Sequence, residues 1–353
     1  MNVKIHSNEL NRMMKTVVQC IDPRDDRRGN IRVTHKDNML SVRGTNGTFF
    51  AEMSSPVLGG DGESFCVDGT MFARVCAMCG GEISLISDGK TCTVKGAGRT
   101  RLVIVETDIP ESPEVDGECV EFKAEDFSGG YGAVSYAISN DNTRPVLGGV
   151  LIEMTGDGTN MAALDGFQMA VEPIPYTGDV RAVIPGAFMK LISQSIYNGE
   201  TLKMTFSKGL VKAETDGMVL TGALLTGEFP DYNRILPKEF KTECLVKTEA
   251  VKSALKSGSV VNNSNHLVKM KVAENTLTVM SNSESAEFDA DMECSTNGDP
   301  LTIAFNEKYL MNTIGAVGTE SVVLKFNGAN SPVIAQGKDG NGVRLVLPVR
   351  VMG

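Results

Sequence analysis

The feature that most limits what this chain can become is a pattern that recurs three times. A helical segment, a turn and alternating strands begin at SNELNRMMKTVVQCI, again at KAEDFSGGYGAVSYAIS and again at KTEAVKSALKSGSVV. In the first copy Leu10, Met13, Met14, Val17, Val18 and Ile21 fall at helical spacing, which predicts one buried face. Ser7 or Asn8 is expected to cap it. Each copy predicts a helix of about four turns leading into a hairpin. A second half follows in each: the helical segments DGTMFARVCAMCGG, PGAFMKLISQSIYNG and NEKYLMNTIGAVGTE precede hairpins whose turns hold Asp-Gly, Lys-Gly and Asn-Gly. Those pairs supply positive φ at little steric cost. Two helices plus several antiparallel strands, repeating at about 115 to 125 residues, make a self-similar unit.

A chain of 353 residues also exceeds one comfortable core. The expected architecture is α+β, with three similar domains at 1–117, 118–240 and 241–353, each two helices plus antiparallel sheets. The junctions fall in Asp108 to Phe122 and Leu236 to Lys247, which are rich in proline or acidic residues.

Composition narrows the function classes. With 41% hydrophobic and 22% charged residues the chain is not disordered. It lacks a run of about 18 apolar residues, and its N-terminus lacks the apolar core of a signal peptide, so no membrane association is expected and the location is cytoplasmic. Eight scattered cysteines are expected to be reduced and mostly packed. The net charge of −10 argues against indiscriminate coating of nucleic acid, though not against a local basic surface.

Such a surface is suggested by the helices. Arg12, Lys15 and Gln19 lie opposite the first apolar stripe, and Lys252 and Lys256 do the same in the third copy. Arg74, Lys190 and Asn312 take comparable places in the second-half helices, and Arg24, Arg27 and Arg28 crowd the turn after the first helix. Each residue alone reads as part of a solvated face. Together they suggest one surface set aside for phosphate, which needs charge and no base reading.

Motifs for catalysis do not assemble. Cys76-Ala-Met-Cys79 has a redox spacing but sits near a helix C-terminus, where the dipole disfavours a thiolate. Gly89-Lys90-Thr91 lacks the upstream glycine of a phosphate loop, because position 84 is Ser84. His6, His35 and His266 are dispersed, and Asp165-Gly166 reads as a strand-ending turn. No catalytic residue, metal or cofactor is expected.

The stretch GEFPDYNRILP (227 to 237) fits neither an apolar-periodic helix nor a clean strand. With TRPVLGGVLIE, ALDGFQMAVE and the terminal VRLVLPVRVMG it resembles the bacterial replicative sliding clamp family, the beta subunit of DNA polymerase III. That resemblance implies three DNA-clamp domains forming half of a closed ring, a homodimer round double-stranded DNA, and no catalytic site. It implies tethering of the polymerase III alpha subunit, the clamp loader and other proteins with clamp-binding motifs. It also implies an apolar peptide cleft, carried over as Leu147; Leu164, Gly166, Phe167, Gln168 and Met169; Pro230, Arg234 and Ile235; and Val346, Leu347, Pro348, Val349 and Arg350. The family's histidine-arginine-leucine is here Phe167-Gln168-Met169, and its proline-isoleucine-leucine is Asp26-Arg27-Arg28. The chain also runs past the family's usual end with Val351, Met352 and Gly353.

Geometry bears on the dimer. Helices packed about 8 to 10 Å apart would close six into a ring about 17 Å across, too small for a duplex once helix bulk is subtracted. Twelve give about 34 Å between axes and about 24 Å clear. By family analogy the head-to-tail contacts involve Leu102 and Ile104 with Val260 and Val261, which are apolar as an interface core should be. Two other readings remain: a thiol or acid-base enzyme using Cys76, Cys79 or Asp165, and a clamp-like adaptor or decoy that binds peptides without encircling DNA.

Overall fold

The computed structural model describes residues 1–96, 98–261 and 266–350. The tail Val351–Gly353, expected as an extension, lies outside the described residues. Among the described residues are six helices: α1 (Ser7–Val17), α2 (Gly69–Ala77), α3 (Ala124–Val134), α4 (Gly186–Ser195), α5 (Thr248–Val261) and α6 (Glu307–Gly315). The sheets are antiparallel, so the α+β expectation holds. None of these helices is long and apolar enough to cross a membrane.

Helix α1 buries Leu10, Met13, Met14 and Val17 as its periodicity predicts. It is nearer three turns than four, because Val18–Cys20 tightens into a 3-10 turn. Neither expected cap operates. The strand Asn2–His6 runs straight into the helix, His6 takes the N-cap without a side-chain bond, and the buried Ser7 donates its N–H to Gly81 O at 2.8 Å. Neighbouring backbone thus satisfies a first-turn N–H that a side chain would otherwise serve. The second-half helices α2 and α6 do carry side-chain caps: Asp68 accepts from Met71 N at 2.6 Å and Asn306 from Lys308 N at 3.0 Å.

The turns mostly follow their residues. Asp37 and Asn38 take φ of 50° and 61° between paired Lys36 and Met39, a two-residue loop whose twist suits the strands. Gly89 and Gly328 take positive φ, but Gly209 does not. Its turn is closed by Ser207, whose backbone N–H reaches Leu210 O at 2.9 Å and whose hydroxyl accepts Leu210 N–H at 3.1 Å.

By internal contacts the chain divides into two compact units, Met1–Glu125 with Ala187–Leu224, and Asp126–Gly186 with Leu225–Gly353. The first holds a five-stranded sheet with Arg99–Val103 at one edge. It also holds an eight-stranded sheet in which Met218–Ala223 pairs with Phe49–Pro56. The second holds a twelve-stranded sheet whose long strand Glu287–Gly298 pairs first with Thr276–Asn282 and then with Thr242–Lys247. Within that sheet Gln168–Ile174 pairs with Val343–Val346 over four residue pairs. Two apolar clusters lie in the second unit, one around Phe305, Leu255 and Val346, the other around Leu147, Met169, Phe229 and Leu345.

The segment expected as the first junction is fastened down as a strap. Ile109 and Val115 are buried, Ser112 Oγ donates to Thr221 Oγ1 at 2.6 Å, and Arg32 and Arg43 pair with Asp108 and Glu111 at 3.1 and 3.3 Å. Two of its acidic residues, Asp108 and Glu111, which look like linker composition, answer arginines on the sheet beneath. In the second junction Phe240 packs against the second unit's core with the Lys325 ammonium 5.5 Å above its ring.

Candidate functional site

The loop GEFPDYNRILP divides its apolar residues between two tasks. Phe229 and Tyr232 are buried. The Tyr232 hydroxyl donates to Glu153 Oε2 at 2.6 Å and accepts from Asn160 Nδ2 at 3.3 Å, while Arg181 pairs with Glu153 and reaches Phe229 O at 3.5 Å. Asp231 accepts from Asn233 N at 3.1 Å and starts the 3-10 turn Tyr232–Arg234. Ile235, just beyond, is 40% exposed. So the aromatics anchor the loop, and the aliphatic tip is left at the surface.

That tip meets a cavity of about 80 Å³ lined also by Leu164, Gly166, Phe167, Gln168, Met169, Leu345 and Leu347. The register explains the grouping: Leu164 faces Met169 across one hairpin, Met169 faces Leu345 across the next ladder, and Leu347 N donates to Phe167 O at 2.9 Å. The turn between the first two strands needs Gly166 at φ 95°, and Asp165 Oδ1 closes it by accepting the N–H groups of Phe167 and Gln168, each at 2.8 Å. Asp165 is therefore engaged as a turn residue.

Seven of the fourteen residues carried over to the cleft thus line the cavity, namely Leu164, Gly166, Phe167, Gln168, Met169, Ile235 and Leu347. Leu147 is buried in the cluster beneath, and Val346 is buried in the other cluster. Pro230, Arg234, Pro348 and Arg350 lie off the cavity, and Val349 lines a separate depression of about 290 Å³ with Thr302 and Asn330. Leu345 was not anticipated, although strand alternation puts it on one face with Leu347 and puts Val346 on the other.

The cleft is apolar with one polar wall. Gln168 donates its amide to Tyr136 O at 3.1 Å and to Asp165 Oδ2 at 3.0 Å, and its Oε1 has no partner among the described residues. Phe167, 55% exposed, stacks on Tyr309 with ring centroids 5.3 Å apart. Burial, with the Asp165 charge adding, pushes the Tyr309 phenol above its ordinary value, and burial does the same at Tyr136. Both phenols stay neutral at physiological pH. Such a surface has the makings of a groove for apolar side chains with a few orienting polar groups.

Of the basic residues, Lys15, Arg24, Arg27, Arg28, Arg74 and Lys190 are exposed in the first unit, and Lys256 in the second. Arg12 is half-buried, 3.4 Å from Glu9 and 5.9 Å over the Tyr197 ring, and Lys252 pairs with Glu249. The arginine turn is held open by Asp25 Oδ1, which accepts the N–H groups of Arg27 and Arg28 at 2.8 and 2.9 Å. Leu102, Ile104 and Val261 are half-buried and Val260 is 85% exposed; Val103 and Met78, not anticipated, are also largely exposed. Cys76 is buried, and burial raises its thiol well above the ordinary value, so it lacks the thiolate character of a nucleophile.

Comparison with known proteins agrees with this geometry. The family model described as the DNA polymerase III beta subunit central domain matches residues 122–231, and the one for its C-terminal domain matches 233–350. The chain is 26% identical over 294 residues to the beta sliding clamp of Streptomyces coelicolor, 77% of each protein. It is 23% identical over 339 residues to that of Vibrio cholerae, 92% of each. The fold matches the crystal structure of a DnaN sliding clamp from Pseudomonas aeruginosa bound to griselimycin, with a TM-score of 0.94 at 20% identity, covering 99% of this chain and all of that one.

Proposed function

This chain belongs to the family of the DNA polymerase III beta subunit, and we propose that it works as a sliding clamp: two copies close head to tail round duplex DNA, and the apolar cleft of each tethers polymerase and other partners. The observation that carries the reading is the agreement along the whole chain, a fold match over 99% of its length together with family models from residue 122 to 350. The three domains at 1–117, 118–240 and 241–353 are part of this proposal. Enclosure does the holding, so the exposed cations need only screened, sequence-independent contacts with phosphate, and weak contacts permit sliding. No chemical step is required, and the chain is not an enzyme in this reading.

Two features support pairing of copies. The edge strand Arg99–Val103 carries exposed Arg99 and Arg101, whereas the stretch from Glu287 to Glu293, paired along its length with Thr276–Asn282, exposes Glu287, Asp289, Asp291 and Glu293. Opposite charge on strands of two copies favours head-to-tail contact, which closes after two steps into a ring. The docked partner then gains effective concentration at the DNA.

The test is retention after loading by a clamp loader. The chain should stay on closed circular DNA and be lost on linearisation; equal loss from both would overturn enclosure. Mass in solution across dilution separates the peptide-binding adaptor, which would remain a monomer at every concentration.

A further inference from the structure

We infer that Tyr232 is a positioning residue for the cleft, acting through Ile235; this rests on the cleft reading above. Ile235 is the lining residue supplied by the loop GEFPDYNRILP, while Leu164, Met169 and Leu345 come from strands. A loop residue holds its place in a cavity wall only if something ties the loop to the strands. Tyr232 makes that tie at both ends of the residue. Its backbone oxygen accepts the N–H groups of Ile235 at 3.1 Å and Leu236 at 3.2 Å, so Ile235 moves with the Tyr232 backbone. Its hydroxyl is bonded to Glu153 on the strand Gly149–Thr155 and to Asn160 on the strand Gly158–Leu164. The second of these strands also carries Leu164. One phenol therefore ties the loop wall of the cleft to its strand wall.

The chemistry suits a latch. Tyr232 is 3% exposed, so its hydrogen bonds have little competition from water, and the acceptor is a carboxylate that Arg181 also engages. Phenylalanine at 232 would keep the ring packing and remove the tie. Affinity for an apolar peptide would then fall because ordering the loop is left to the binding event.

The probe is a fluorescein-labelled peptide carrying the clamp-binding segment of a DNA polymerase III alpha subunit, followed by anisotropy on the full chain. Ile235→Ala should weaken it about tenfold and Tyr232→Phe about fivefold, and Tyr232→Phe should add nothing in the Ile235→Ala background. Glu153→Gln, which keeps an acceptor oxygen, should bind more tightly than Glu153→Ala, and Glu153→Ala should match Tyr232→Phe. Losses that multiply in the double variant, or no loss in Tyr232→Phe, would overturn the inference while leaving the cleft intact. A wild-type chain that does not bind the peptide would overturn both.

Discussion

Arg344→Met should be among the most damaging single substitutions in the second unit. Arg344 is 4% exposed, and its guanidinium donates to Ala316 O at 3.2 Å, Val171 O at 3.1 Å, Val343 O at 3.3 Å and the Glu172 carboxylate. Gly342 makes room for the pair, since a Cβ there would lie 2.0 Å from Glu172 Oε2. Removing one member of a buried pair costs about 3 to 5 kcal/mol, mainly through the charge left behind. The Glu172 side chain is 25% exposed and partly hydrated, which places the expected loss near the lower end, about 3 kcal/mol. Because the chain has two compact units, bulk unfolding need not be two-state. Urea-dependent hydrogen exchange at the amides of Gln168–Ile174 and Val343–Val346 reads the local loss. Glu172→Gln added to Arg344→Met should recover about half or more of it, since no uncompensated charge remains. A loss below about 1 kcal/mol, or a double variant as unstable as the sum of the singles, would refute the reasoning.

Two further outcomes follow from the geometry. Leu347→Glu puts a charge on the cleft and should weaken peptide binding by about thirtyfold or more, with dimerisation unchanged in sedimentation; retained affinity would count against the cavity as the docking place. Backbone N–H groups of Arg28 and Arg27 hold the Asp25 carboxyl below its ordinary value of 3.8. A depressed folded-state value means that its contribution is fully present above that pH and is lost as pH falls below it. Exchange of the Arg27 and Arg28 amides should therefore show reduced protection on acidification, and Asp25→Asn should flatten that dependence.

Much of this fold is written in local pattern, which is why α1 follows from residue spacing and the positive-φ turns at Gly89 and Gly328 from residue type. What was not legible depends on distant partners. The acidic strap from Asp108 reads as linker because its arginine partners, Arg32 and Arg43, are more than sixty positions upstream. Ser7 is the first helical residue and not the cap, and its N–H is taken by the backbone oxygen of Gly81, which no local window contains. The cleft residues came from the family resemblance carried by ALDGFQMAVE, GEFPDYNRILP and the terminal stretch, and not from local pattern, which reads Asp165-Gly166 only as a turn. Leu345 was missed because the run VRLVLP looks uniformly apolar until its two faces are separated. Arg344, in the same run, looks like a solvated charge until the ladder with Gln168–Ile174 is known.

That ladder has a consequence for any inhibitor aimed at the groove. Met169 and Leu345 are at once floor and hydrogen-bonded neighbours in the sheet, so a change that evades a ligand there also weakens the protein. Phe167, Ile235 and Leu347 touch the same space from exposed positions. Escape variants selected under such a compound should therefore cluster at those three rim positions, and a molecule that draws its affinity from the floor would leave the fewest viable routes to resistance.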